Sequence, residues 1–293
     1  MKRITLIKLI LLSFLFSACE FSYSVKKADT TNYTSKPDGL NCKNISIERQ
    51  ADTNDNNIFF YGERVDIIFE NVTGLKKINE KVYPKMSLFI IKNEKDTILF
   101  NNDLFEGQEG VEETSLNLRA YMVAVLPSNS GDRYKAHINI KDRNSDGSFF
   151  YELPFKVEKS NLLKVVSKNV EYSNAYLWNQ NKKKGIFNKT IDLETPVMLI
   201  IEGVDGFEEK EGKVFPILSI GLRDADGENV IDSGNLFKDY GKNGVSAKDL
   251  KEQLHAEFTL NSGIVNNPYK LKVILKDTKS SKKLIVTSEL NFK

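Results

Sequence analysis

Val65-Asp-Ile-Ile-Phe-Glu-Asn-Val-Thr-Gly74 occurs again in the chain as Val197-Met-Leu-Ile-Ile-Glu-Gly-Val-Asp-Gly206. Downstream, Lys81-Val-Tyr-Pro-Lys-Met-Ser87 returns as Lys213-Val-Phe-Pro-Ile-Leu-Ser219, and Leu104-Phe105 returns as Leu236-Phe237. A single offset fits residues 65–105 throughout, with eleven identities in forty-one positions and many apolar-for-apolar exchanges between them. The repeat continues with small shifts. Gly110-Val111 matches Gly244-Val245, Tyr134 through Asp142 matches Tyr269 through Asp277, and Leu153 and Phe155 align with Leu290 and Phe292. A period of this length decides the architecture before any local pattern does. It predicts two tandem copies of one domain, residues 41–158 and 159–293, each of ordinary domain size.

Within each copy apolar and polar residues alternate, the mark of half-buried antiparallel strands. Tyr134, Ala136, Ile138 and Ile140 share one face of a strand, and Phe149, Tyr151, Leu153, Phe155 and Val157 share a face of the next. Tyr269, Leu271, Val273 and Leu275 repeat the first pattern, and Leu284, Val286, Ser288, Leu290 and Phe292 the second. Asp142-Arg-Asn-Ser-Asp-Gly147 and Asp224-Ala-Asp-Gly227 carry turn chemistry between strands. Strands are expected near 43–50, 64–72, 83–92, 96–100, 117–126, 133–142 and 148–158, then at their equivalents, with the spacing of a sandwich. One helical turn is predicted at Ser246–Leu254, where Ser246 and Asp249 form a capping box. The fold class is therefore all-β. It resembles two tandem duplicated immunoglobulin-like β-sandwich domains, without the cysteine pair of antibody domains. Ser160 to Lys164 links the copies with no Pro or Gly spacer, so the two domains are expected to sit close.

Residues 1–18 read differently. Met1-Lys-Arg precedes an apolar run from Ile4 to Phe16, too short to span a bilayer and matched to a secretory signal core. It ends in Phe16-Ser17-Ala18-Cys19, which resembles the lipobox of bacterial lipoproteins, with Phe16 in place of the usual Leu. That resemblance implies removal of residues 1–18 as a signal peptide and diacylation of the Cys19 sulfur, usually with a further acyl chain such as palmitate on the new amino group. Membrane lipid is then a partner: at roughly 0.8 kcal/mol per buried methylene, two or three chains make a stable anchor. Glu20 after the cysteine, by the same resemblance, favours the outer membrane, and the Asn-, Lys- and Ile-rich composition resembles Bacteroidota lipoproteins. Residues 19–40 are polar and are expected to form a lipidated flexible tether.

The chain holds 42 Lys and Arg against 40 Asp and Glu, and without Lys2, Arg3 and Lys8 of the leader the balance is 39 against 40. No basic excess remains to neutralise phosphates, so no nucleic-acid partner is expected. Cys19 and Cys42 are the only cysteines, which excludes a disulfide scaffold or a Cys-rich zinc site. No nucleophile elbow, phosphate loop, His-Glu-x-x-His or Cys-x-x-Cys occurs. His137 and His255 fall at non-equivalent places in the two copies, and His137 takes the outward phase of its strand. Glu70 and Glu202 do match, yet each ends a strand ahead of a turn, which reads as structural. No catalytic residue and no cofactor are expected.

Two stretches could bind something. Asp142-x-Asn144-x-Asp146-Gly147 has the first half of a calcium loop, oxygen ligands at alternate positions and a glycine at the bend. Leu153 stands where the bidentate Glu of such a loop belongs, and the competing reading is a plain hairpin turn. Tyr176 and Trp178 alternate, so they share a face, and Asn179-Gln-Asn follows them. Rings beside amides are what sugars stack upon; rings of a sandwich core would show the same spacing.

These readings converge on a lipid-anchored envelope protein without catalysis, presenting sandwich surfaces to a protein partner. Glycan binding through Tyr176 and Trp178 is the alternative, and a hydrolase or lyase using carboxylates or tyrosines is a further one. An exposed, coplanar ring pair would favour the glycan, and a clustered carboxylate pocket the enzyme.

Overall fold

The computed structural model describes residues 27–28, 33–51, 57–126, 131–261, 263 and 265–293. Cys19, the leader and most of the expected tether lie outside the described residues. The N-terminal half builds β1 (Thr34–Asp38), β2 (Asn44–Arg49), β3 (Ile58–Phe60), β4 (Arg64–Glu70), β5 (Pro84–Lys92), β6 (Asp96–Asn101), β7 (Leu118–Val123), β8 (Tyr134–Asp142) and β9 (Ser148–Glu158). The C-terminal half builds β10 (Lys164–Lys168), β11 (Asn174–Asn179), β12 (Lys184–Ile186), β13 (Thr190–Ile191), β14 (Val197–Glu202) and β15 (Pro216–Arg223). It continues with β16 (Asn229–Asp232), helix α1 (Ala247–Glu252), β17 (Leu254–Phe258), β18 (Tyr269–Asp277) and β19 (Lys283–Phe292).

Each half is a β-sandwich. In the first, the sheet β1-β9-β8-β5-β6 faces β2-β4-β7, and β3 runs parallel to the end of β9. In the second, β10-β19-β18-β15-β16 faces β12-β11-β14-β17, and β13 runs parallel to the end of β19. Alternation does what the period-two pattern requires: Tyr134, Ala136, Ile138 and Ile140 of β8 are all buried, while the residues between them are only partly so. Inward side chains of the two sheets form one core per half, around Phe69, Ile138 and Leu153 in the first and Leu199, Leu275 and Leu290 in the second. Helix α1 starts where its capping signal sits, with Ser246 Oγ accepting from the Asp249 N–H at 3.2 Å.

The structure corrects two sequence expectations. The tether does not extend to residue 40: Thr34–Asp38 adds to the sheet edge beside β9, Lys27–Ala28 pairs with β2, and Leu40 is 1% exposed in the core. Polar composition hid β1 because an edge strand with both faces wet needs no apolar residues. The alignment of Phe155 with Phe292 also fails. Tyr134 pairs with Phe155 and Tyr269 with Leu290, so the counterpart of Phe155 is Leu290. A two-residue slip leaves the in-out alternation unchanged, and the hydrophobic pattern is blind to it.

Candidate functional site

The face shared by Tyr176 and Trp178 is neither a free platform nor part of its own core. Leu177 points into the C-terminal core, while Tyr176 and Trp178, with Met198 and Ile200 across the ladder, point the other way and pack on the N-terminal core. Tyr176 is 8% exposed. The turn after β3 brings Tyr61 to it, ring centroids 5.5 Å apart, and Phe60 stacks on Phe187 at 5.8 Å. Gly62 carries a φ of +86°, and a Cβ there would lie 3.3 Å from the Tyr176 ring, so a glycine lets the turn close on the sheet. Tyr176 is therefore buried rather than half of an exposed ring pair, the alternative that its spacing with Trp178 left open. These rings seal the junction between the two sandwiches.

Glu202 is the polar centre of that junction. It accepts from Tyr61 Oη at 2.7 Å, Tyr176 Oη at 3.1 Å and Asn174 Nδ2 at 3.5 Å. Burial, reinforced by the Glu202 carboxylate, pushes both phenol pKa values far above the ordinary 10. Both hydroxyls are thus donors that hold the carboxylate, and neither is suited to act as a base at neutral pH. A shallow cleft of about 550 Å³ opens beside them, rimmed by Lys248, Lys251 and Glu252. Glu70 makes the matching cross-strand contacts in the first sandwich, accepting from Asn44 Nδ2 and Ser46 Oγ, both at 3.3 Å.

Asp142 is buried, and its oxygens are engaged by the turn and by the backbone at Lys76. They accept from Lys76 N at 2.7 Å, Asn144 N at 3.1 Å and Ser145 Oγ at 2.6 Å. Asp277 makes the same three bonds in the second sandwich, from Glu208 N, Lys279 N and Ser280 Oγ. These bonds hold both aspartates below the usual carboxylate range against the opposing effect of desolvation. Asp146 is exposed. Among the described residues no three His, Cys, Asp or Glu side chains cluster as a metal site would need, and the shared bonds explain Asp142 without an ion.

The outer face of the sheet β1-β9-β8-β5-β6 carries a ring cluster that strand-by-strand reading did not assemble. His137 stacks on Phe89 at 4.6 Å and 6°, with Phe150 at 5.8 Å on its other side. Its side chain is 12% exposed, Nδ1 lies 3.7 Å from Glu152, and burial holds its pKa below the ordinary 6.5. Phe89 in turn lies opposite Phe100 on the edge strand β6, and Phe100 is 66% exposed. The equivalent face of the second sandwich has no such rings: Gly221 stands where Phe89 does, Lys272 where His137 does and Ile285 where Phe150 does. A cleft of about 770 Å³ lies there instead.

Among the described residues no helix is long and apolar enough to cross a membrane. No family model matches the chain, and no curated protein matches it. Among solved structures the chain is similar to one described as pT26-6p, with 8% identity and a TM-score of 0.28 over 90% of this chain and 66% of that one. It is also similar to trypsin-activated alpha-2-macroglobulin from Escherichia coli, with 9% identity and a TM-score of 0.22 over 87% of this chain and 17% of that one. The chain thus spans less than two thirds of the length of either.

Proposed function

We propose that the chain is a lipid-anchored cell-envelope protein, held at the outer membrane through acylated Cys19, that binds an envelope protein by accepting a strand at β6. The observation that carries this reading is the chemistry of the free edges of the two larger sheets. Edge strand β1 contains Lys36 and Pro37, β10 begins and ends in lysine, and β16 is only four residues long. These are the usual devices that stop a sheet from pairing further. Strand β6, Asp96-Thr-Ile-Leu-Phe-Asn101, carries neither Lys nor Pro and presents Phe100 beside Phe89. A bulge sits at the matching register beside both β6 and β16, so it does not account for the difference. An open edge flanked by an aromatic anchor is what strand addition uses: main-chain bonds supply affinity and the ring supplies selectivity.

Three variants test this. Cys19→Ala should move the protein from the membrane fraction to the soluble fraction. A photo-crosslinking residue at position 97 should capture one envelope protein in cells, and adding Phe100→Lys should abolish the capture. Undiminished capture by the Phe100→Lys protein would sink the docking claim, and a Cys19→Ala protein still in the membrane fraction would sink the anchor.

A further inference from the structure

The cleft on the outer face of β10-β19-β18-β15-β16 draws side chains from all five strands and is ringed by Lys164, Lys189, Arg223, Lys270 and Lys272. Asp232 and Glu289 are the only acids lining it. Lys189 meets Glu289 at 3.4 Å, and Arg223 Nε donates to Asn229 Oδ1 at 2.9 Å. Lys164, Lys270 and Lys272 form no ion pair among the described residues. In the ladder Lys270 stands between Arg223 on one strand and Glu289 on the other, and Glu289 also meets Lys189, so the cations outnumber the acids placed to balance them. Five cations against two acids leave an excess of positive charge in a concave site, which favours an anionic ligand.

The floor of the cleft is Gly221, in mid-strand, where glycine weakens a sheet. Nothing in the fold demands it. A Cβ there would meet only the carbonyl oxygens of Ile231 and Lys272, at 3.9 Å, and its φ lies outside the left-handed region. The equivalent position in the first sandwich holds Phe89, so the architecture accepts a large ring. What Gly221 provides is room. The groups around it, Ser219 and Thr287 on the neighbouring strand positions with Asn161 and Asn229 at the rim, end in hydroxyls and amides.

We propose that this cleft binds an acidic saccharide, with its carboxylate or phosphate against Lys270, Lys272 and Arg223 and its ring over Gly221. The cations match the anionic group, the hydroxyls and amides match ring hydroxyls, and the bare floor admits a ring. A sheet face, unlike a sheet edge, has its backbone groups already bonded, so it offers an extended acidic peptide no main-chain pairing. A lone inorganic anion would leave most of the volume unfilled. The site is separate from β6 and stands whether or not a strand docks there.

Titration calorimetry on the full mature protein tests it with three probes: an oligogalacturonate, a hexose phosphate and a neutral oligosaccharide of matched length. One or both acidic probes should bind, and which of them does so identifies the source of the anion. The neutral oligosaccharide should not bind. Binding should weaken when salt rises from about 0.02 M to about 0.3 M. Lys272→Gln and Lys270→Gln should each weaken it about tenfold, a loss of about 1.4 kcal/mol. Gly221→Phe, which restores the ring of the other sandwich, should abolish it. Silence with both acidic probes, equal binding of the neutral one, or binding untouched by both lysine variants would overturn the proposal.

Discussion

Glu63 is completely buried and charged, which a core tolerates only when every lone pair finds a donor. Arg49 supplies Nε at 3.0 Å and Nη2 at 2.9 Å, and the N–H groups of Ala51 and Phe60 add bonds at 2.9 and 2.8 Å. Arg49 also lies over the Phe59 ring, 5.1 Å from its centroid. The equivalent positions of the second sandwich hold Asn179 and Thr195, both buried and both neutral. The fold therefore does not require the ion pair. Glu63→Leu leaves the guanidinium stranded and should cost about 3–5 kcal/mol. Adding Arg49→Met should recover most of that, in urea unfolding of both proteins. If the double variant is no more stable than the single one, the pair has a role that the comparison of sandwiches misses.

At the scale of elements, the two halves share the devices that shape their turns. Gly74 and Gly206 hold nearly the same φ, +94° and +95°, which L residues reach only at a cost of roughly 1–2 kcal/mol. Their surroundings differ. A Cβ at Gly74 would sit 2.3 Å from the Gly39 carbonyl oxygen, whereas at Gly206 the nearest atom is the Asn169 oxygen at 3.3 Å. Gly74→Ala should therefore lower stability clearly more than Gly206→Ala, whose cost should stay near the conformational 1–2 kcal/mol. Thermal melts of the two variants check this, and equal losses would show that the backbone around Gly39 yields. The repeated Gly was legible in the sequence. The unequal contact was not, because Gly39 belongs to a stretch that reads as tether.

The whole molecule is held by an unequal use of equal faces. Tyr176, Trp178, Met198 and Ile200 coat the outer face of the second sandwich, where the first has Ser46, Glu48, Asp66 and Ile68 at the same ladder positions. On the first sandwich that face is a charge network, with Arg119 reaching Glu48 and Asp66 and Arg64 joined to Asp66. The docking turn differs in the same sense: Phe60-Tyr61-Gly62 corresponds to Asp192-Leu193-Glu194. A head-to-tail contact propagates only where both of its surfaces are kept, and here the aromatic surfaces occur once each, Tyr61 on the first sandwich and Tyr176 on the second. Ile200→Glu places a charge in this junction without touching the second core. It should leave far-ultraviolet dichroism unchanged and speed proteolysis of the link at 159–164. A cleavage rate equal to that of the parent would mean that the junction does not hold the domains together.

Alternation along the chain was enough to specify an all-β fold, most of its strands and their inward faces, because a period of two follows from backbone geometry alone. The same alternation put Tyr176 and Trp178 on one side. It could not say what lies across from a face. Pairing register, the partner buried against an outward ring, the free edge at β6 and the cluster of lysines around Gly221 all join residues far apart in sequence. Those are decided by which surfaces meet when the chain closes, a property of packing and long-range contact that no local pattern contains.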